Sequence, residues 1–308
     1  SAFTCGYNNL KNKTLALRNN PRLELIDCTS NDLTELLLGN NTATQVFFDC
    51  PYNKLTELDL SGFTTITNLD CSYNQLKELD VTHLPKLWWF WCQGNQITEL
   101  DVSKNEDIKE IFCYENKLTE LDVGNNPKLQ FIWCYSNDIA ELDVSGCPEM
   151  WGLNCGNNNI SRLNFNEKLA SLACARNQLT ELDVSENSGL IELYCYNNPI
   201  RTLDVTNNPK LEILSCTNTL ISELDLTNNP ELQALDCGGN YLAALDVSHN
   251  PKLTELYYSG TTLRNVDVSI NTQLISLDCI STDIMTLDIS ANSSLDALGC
   301  YGNSRLEA

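Results

Sequence analysis

Leu232–Lys252 reads LQALDCGGNYLAALDVSHNPK, and the same spelling recurs along the chain as L-x-x-L-x-C-x-x-N-x-L-x-x-L-D-V-S-x-N-P-x. Its cysteine, Cys237, stands on a ruler formed by 14 of the 15 cysteines: Cys5, Cys28, Cys50, Cys71, Cys92, Cys113, Cys134, Cys155, Cys174, Cys195, Cys216, Cys237, Cys279 and Cys300. From Cys50 onward the step is 21 residues, apart from a 19-residue step into Cys174 and a 42-residue gap before Cys279, where Tyr258 holds the ladder position. A fixed period of this length is one supersecondary unit copied and stacked, each copy burying its apolar side only against its neighbours. Length alone would suggest roughly two domains. The repeat instead predicts a single solenoid domain over residues 1–308, with about fifteen coils.

The first eleven positions of each copy follow the leucine-rich-repeat template, with Cys where that template usually has Leu. A short strand then carries the second Leu and the Cys inward, and the chain turns at the Asn. Period-2 alternation puts the flanking residues on the opposite, concave face of a parallel β-sheet. The second half of each copy holds Val, Ser and Pro rather than helix formers, so the convex side is predicted to be extended or short β, with little α-helix. Leu or Ile recurs five residues before and after the ladder (Leu129 and Ile139 around Cys134, Leu232 and Leu242 around Cys237). Each coil thus delivers about six apolar side chains to a continuous core, each worth roughly 1.5–3 kcal/mol when buried.

The polar columns have structural readings. Asn stands three residues after the ladder in most copies, as at Asn53, Asn74, Asn95 and Asn240. Such a stack is expected to satisfy backbone groups of its own coil and the next. Parallel in-register cysteines point alongside one another, whereas a disulfide needs Cβ atoms turned toward each other and nearer 3.8 Å apart, so free apolar fillers are expected. No C-x-x-C pair or Cys/His cluster offers zinc geometry. Cys147, off the ladder, occupies a second-turn column otherwise held by Asn, as at Asn126 and Asn250. The convex Asp column from Asp59 to Asp288 admits a calcium row or a series of Asx turns. Leu37 and Asn164 in that column favour the turns, and no metal or cofactor is expected.

With 19 basic and 41 acidic residues the net charge is −22, which argues against nucleic acid and anionic membranes as partners. No stretch approaches the ~18 apolar residues of a membrane span. The ladder is already running at Cys5, and Arg305–Ala308 stops inside a copy, so both ends lack dedicated caps; an excised portion or mature fragment of something longer is expected. The two histidines, His83 and His249, fall on outer turns eight coils apart, and no catalytic fingerprint is present. An enzyme is not expected.

The repeat, with its many copies of Cys, Asn, Asp-Val-Ser and Asn-Pro, resembles the cysteine-ladder repeats of the internalin-J-like bacterial surface proteins over nearly the whole chain. Members of that family are generally exported, held at the cell surface and implicated in adhesion or host interaction. The resemblance therefore implies an extracellular or cell-surface, non-enzymatic binding module.

What sets these copies apart is their aromatic content. The predicted concave positions carry Trp89, Trp91, Phe112, Tyr114, Phe131, Trp133, Tyr135, Tyr194 and Tyr196, as well as Phe47, Tyr52, Tyr73 and Tyr257, with Asp49, Asp70, Glu110, Glu115 and Glu192 among them. Cross-strand stacking for sheet stability is one reading. A partner-binding surface is the other, since hot spots are rich in Trp and Tyr. A protein partner, basic or mixed in charge, fits the aromatic anchors and acidic rim; a glycan is the alternative. A further expectation is a pocket at the irregular copy between Cys155 and Cys174. There Gly152, Asn154, Gly156, Ser171, Ala173 and Ala175 form a small-residue floor, with Arg176 as the lone basic residue at its edge.

Overall fold

The computed structural model describes residues 1–8, 10 and 13–306. Of the expected C-terminal stop inside a copy, Glu307 and Ala308 lie outside the described residues. Every regular element among the described residues is a β-strand, nearly all of three residues, and none is a helix. The chain divides into two compact units, Ser1–Asn166 and Glu167–Ala308.

In the first unit eight parallel strands pair in sequence order: Ala2–Thr4, Leu25–Asp27, Val46–Asp49, Ile66–Asp70, Trp89–Trp91, Glu110–Phe112, Phe131–Trp133 and Gly152–Asn154. The register follows the ladder, as in Ile111 opposite Ile132, with one shift between Val46 and Phe47. The second unit has seven: Ser171–Ala173, Glu192–Tyr194, Ile213–Ser215, Ala234–Asp236, Glu255–Tyr257, Ser276–Asp278 and Ala297–Gly299. On the return side, regular pairing among the described residues is confined to Thr14–Ala16 with Glu35–Leu37 and Glu141–Asp143 with Arg162–Asn164. Elsewhere the return is extended chain and turns.

The alternation and the core are as the repeat dictates. In the copy around Cys134, the six side chains Leu129, Ile132, Cys134, Ile139, Leu142 and Val144 are all buried. None of the fifteen cysteines is in a disulfide; thirteen are buried, and Cys5 and Cys300 are half-buried. Cys28 and Cys71 direct their S–H toward carbonyls of the following strand, those of Asp49 and Trp91, at 3.6 Å. Burial pushes buried thiols up, Cys134 and Cys195 to about 12, so these two carry no thiolate at neutral pH. Tyr258 fills its ladder position completely buried.

Two rows of asparagines brace the turns. Asn74 Nδ2 donates to the carbonyls of Cys71 and Ser72 in its own coil and of Cys50 in the coil before, while its Oδ1 accepts from Leu55 N–H, also in the coil before. The partner is thus the preceding coil rather than the following one, because the turn places each amide beneath the bend it follows. In the second turn Asn126 Nδ2 donates back to Val102 and Asn105 carbonyls. Cys147 takes that place and donates its S–H to Val123 at 3.5 Å, so it stands in for one arm of an Asn.

The convex Asp column forms Asx turns: from Asp59 to Asp288, all eleven accept the backbone N–H two residues on, as Ser145 to Asp143 and Ser248 to Asp246 at 2.9 Å. The hydroxyls of Ser145 and Thr227, together with these backbone bonds, hold Asp143 and Asp225 below the usual carboxylate range.

Candidate partner-binding face

The short strands of the large sheet end one residue before the ladder position, and the chain leaves them through one repeated conformation. Two residues past every ladder position the backbone is left-handed, with φ between +51° and +76°. Only four of those fifteen positions are glycine, so the turn is imposed by the coil against side-chain preference. Tyr52, Tyr73 and Arg176 occupy this turn. They belong to the rim of the sheet, so Tyr52 and Tyr73, expected among the concave strand positions, stand one residue beyond the position that flanks the ladder cysteine.

The aromatic residues of the first unit do come together on the outward side of its sheet. Trp91, Phe112 and Trp133 face one another across neighbouring strands in register. Their rings stack with centroids 5.6 and 4.4 Å apart and planes within 13°. Tyr114 and Tyr135 form a second stack at 4.3 Å, tilted against Trp133. A third joins Tyr52 and Tyr73 at 4.6 Å. The Tyr73 ring lies over Gly94, where a Cβ would collide with it, and its hydroxyl reaches that of Tyr114 at 3.3 Å. That hydrogen bond, with burial, pushes Tyr73 up to about 12. Trp89 stays 46% exposed and Trp133 40%. Trp91 Nε1 donates to Glu110 at 2.9 Å, which fixes the indole. On the flank, Lys109 Nζ sits 4.8 Å over the Trp88 ring.

Stacking has a chemical consequence. Inside each column the ring faces cover one another, so the columns present ring edges to solvent and keep free faces only at their ends. Phe131 leans instead toward Trp151 (4.3 Å, 64°) and lies over Gly152, whose Cβ would fall 2.7 Å from its Cδ1. The space expected above Gly152 as open floor is therefore occupied by a ring.

In the second unit Tyr194 and Tyr196 lie half-buried and Arg176 is exposed at its turn. Ser171 Oγ donates to Glu192 at 2.9 Å beside Tyr194. The alternation missed a shallow trough of about 590 Å³ in this unit, lined by Asp236, Gly238, Gly239, Tyr257, Gly260 and Asp278 among others. The run of glycines at the ends of consecutive strands was its visible signal. Of the histidines, His83 Nε2 lies 2.9 Å from the Leu60 carbonyl in the first unit, and His249 Nδ1 3.2 Å from Ser248 Oγ in the second.

No protein-family model and no curated protein sequence matches the chain. Among solved structures, the functional domain of InlJ from Listeria monocytogenes, which includes a cysteine ladder, is 35% identical over 92% of this chain and 70% of that one, with a TM-score of 0.74. The chain belongs to the internalin-J-like cysteine-ladder leucine-rich-repeat family. Its fold is likewise that of a leucine-rich-repeat protein of Leptospira interrogans (TM-score 0.80, 19% identity, 100% of this chain and 95% of that one). A plant peptide hormone receptor, RGFR1 in complex with RGF2, shares it too (TM-score 0.71, 17% identity, 92% and 60%).

Proposed function

We propose that this chain is the recognition module of a secreted or cell-surface bacterial protein, serving adhesion or partner binding, and that it binds a protein through the aromatic outer face of its first unit. The observation that carries this reading is the contiguous set Trp89, Trp91, Phe112, Phe131, Trp133 and Tyr135, which leaves large rings half-exposed where sheet stability alone needs only small or polar side chains. The module is read as non-enzymatic: each histidine is paired with a turn, and thirteen of the fifteen thiols are buried. Ring faces inside the stacks are covered, which weighs against a flat sugar platform and toward a protein whose side chains wedge between ring edges. Arg176, Tyr194 and Tyr196 of the second unit are proposed as auxiliary contacts.

The test is selection of a displayed peptide library on the native chain, with binders re-measured on Trp91→Ala and Trp133→Ala. Each substitution is expected to weaken binding by about 2 kcal/mol or more while the thermal midpoint changes little. Binders indifferent to both substitutions would remove the aromatic face from consideration, and selective binding on a glycan array would move the assignment to sugars.

A further inference from the structure

The aromatic column of the first unit has an acidic continuation. In strict register, Asp27 faces Asp49, Asp49 faces Asp70, and Asp70 faces Trp91, the first of the three stacked rings. Three carboxylates therefore stand one strand apart, about 4.8 Å each, and lead directly to an indole. Phe112 covers one face of Trp91; on the strand to the other side the register places Asp70 opposite it.

The middle carboxylate is the unusual one. Asp27 accepts the N–H of Thr29, two residues on, at 3.0 Å, and Asp70 accepts both N–H and hydroxyl of Ser72. The corresponding residue for Asp49 is Pro51, which has no N–H to give. Among the described residues the Asp49 carboxylate accepts no hydrogen bond, although it is half-buried between two other acids. Among the described residues no Lys or Arg forms an ion pair with it. In each of the eight strands of this unit's large sheet, the two residues flanking the inward one and the residue after the ladder position include no Lys or Arg, and the unit's ion pairs, such as Lys54 with Asp32 and Lys128 with Asp107, lie elsewhere. A second unsatisfied acceptor adjoins Trp91. Gln93, two residues along on the same side of the chain, is only 7% exposed, and its Oε1 has no partner.

Unpaired acceptors beside a free indole face define one kind of visitor. It must bring several N–H donors, a positive charge and a flat or aliphatic surface. We propose that the Asp49–Asp70–Trp91 segment, with Gln93, is a receptor for an arginine side chain presented by the partner protein. A guanidinium carries five donors in a planar fork, bridges carboxylates and stacks on indole, whereas an ammonium satisfies only the first two demands. The proposal rests on the reading that the aromatic face binds a protein, and it specifies that partner as a segment with an exposed arginine.

The test uses the whole chain and an acetylated Gly/Ser peptide carrying arginine, beside the same peptide with citrulline, which keeps the shape and loses the charge. Titration is followed by tryptophan fluorescence and calorimetry at physiological salt. Because an acidic chain attracts any cation, two variants with the same loss of two charges are compared. One is Asp49→Asn with Asp70→Asn; the other is Glu78→Gln with Glu99→Gln, exposed on the return side. The arginine peptide is expected to bind the native chain, to lose about tenfold or more on the first variant, and to be nearly unaffected by the second. Citrulline is expected to abolish binding. Equal losses on both variants, equal binding of citrulline, or no binding to the native chain overturns the proposal. Library-selected neutral peptides that depend on Trp91 and Trp133 but ignore Asp49 and Asp70 would sink the arginine site while leaving the aromatic face standing. Arginine peptides that need Asp49 and Asp70 but not Trp133 would do the reverse.

Discussion

Replacing Asn74 with alanine is expected to destabilise the first unit by about 3 kcal/mol, less than its four hydrogen bonds suggest. Each carbonyl that Asn74 serves keeps a second donor. Cys50 still receives Asn53, Cys71 still receives Asn95, and Ser72 still receives the Tyr52 N–H. The Leu55 N–H has only Asn74 Oδ1, at 3.0 Å, and is left buried and unpaired. That single orphan costs about 1–3 kcal/mol, and three weakened carbonyls add roughly 0.5 kcal/mol each. The sharing makes a second, stricter prediction. Cys50 accepts from both Asn53 and Asn74, so Asn53→Ala combined with Asn74→Ala strips that carbonyl completely. The double variant should lose about 1 kcal/mol or more beyond the sum of the singles. Urea denaturation of the four proteins, followed by far-UV circular dichroism, measures both quantities. Additive losses, or a loss under about 1 kcal/mol for Asn74→Ala, would refute the view that the column works by shared carbonyls and one unshared N–H.

Burial first, and then the neighbouring charges of Asp70 and Asp27, raise Asp49 to about 6. A carboxyl raised on folding favours the folded state most at low pH, and that contribution is lost as pH climbs through about 6. Asp49→Asn should therefore be more stable than the native chain at neutral pH, by about 1 kcal/mol after allowance for solvent screening, and no more stable near pH 4; an equal difference at both pH values would contradict the carboxylate column. A bulky maleimide should label Cys5 and Cys300 in the native chain and the buried thiols only after denaturation, with intact mass as the readout; protection of Cys5 or early labelling of Cys134 would be at odds with the burial described. Gly152→Val should displace the Phe131 ring from Trp151, lowering stability by about 1–3 kcal/mol and altering tryptophan emission; unchanged emission would show that the ring has room to move.

The sequence made the fold legible because its period, its inward Leu and Cys and its Asn columns each repeat many times, so that one misread copy is outvoted by the rest. The coil around Cys134 buries the six side chains that the spelling assigns. The site was legible only as a composition. Alternation placed Trp91, Phe112 and Trp133 on one side, yet it cannot tell whether rings expose faces or edges, since that depends on the side-chain torsions each neighbour permits. Tyr52 and Tyr73, counted with the concave set, stand two residues past the ladder, where the strand has already given way to the left-handed turn. Gly152 looked like vacant floor, but a missing Cβ invites a neighbouring ring, and Phe131 took the space. The isolation of Asp49 was present in the letters all along, in Pro51, but it acquires meaning only once Thr29 and Ser72 are seen capping the acids on either side.

The left-handed turn that closes every strand separates two kinds of change available to this chain. A residue there may be exchanged at modest strain, as Tyr, Ser, Glu, Asn, Arg and Gly all occur, so the rim can be rewritten letter by letter. The strand itself cannot gain or lose one residue without turning its outward set into the core. Diversification of the binding face should therefore proceed by rim substitutions and by duplication or loss of whole copies, each bringing three outward positions and one turn. A lineage descended from this chain would be expected to vary in copy number by integers while keeping the distance from inward Leu to ladder Cys invariant.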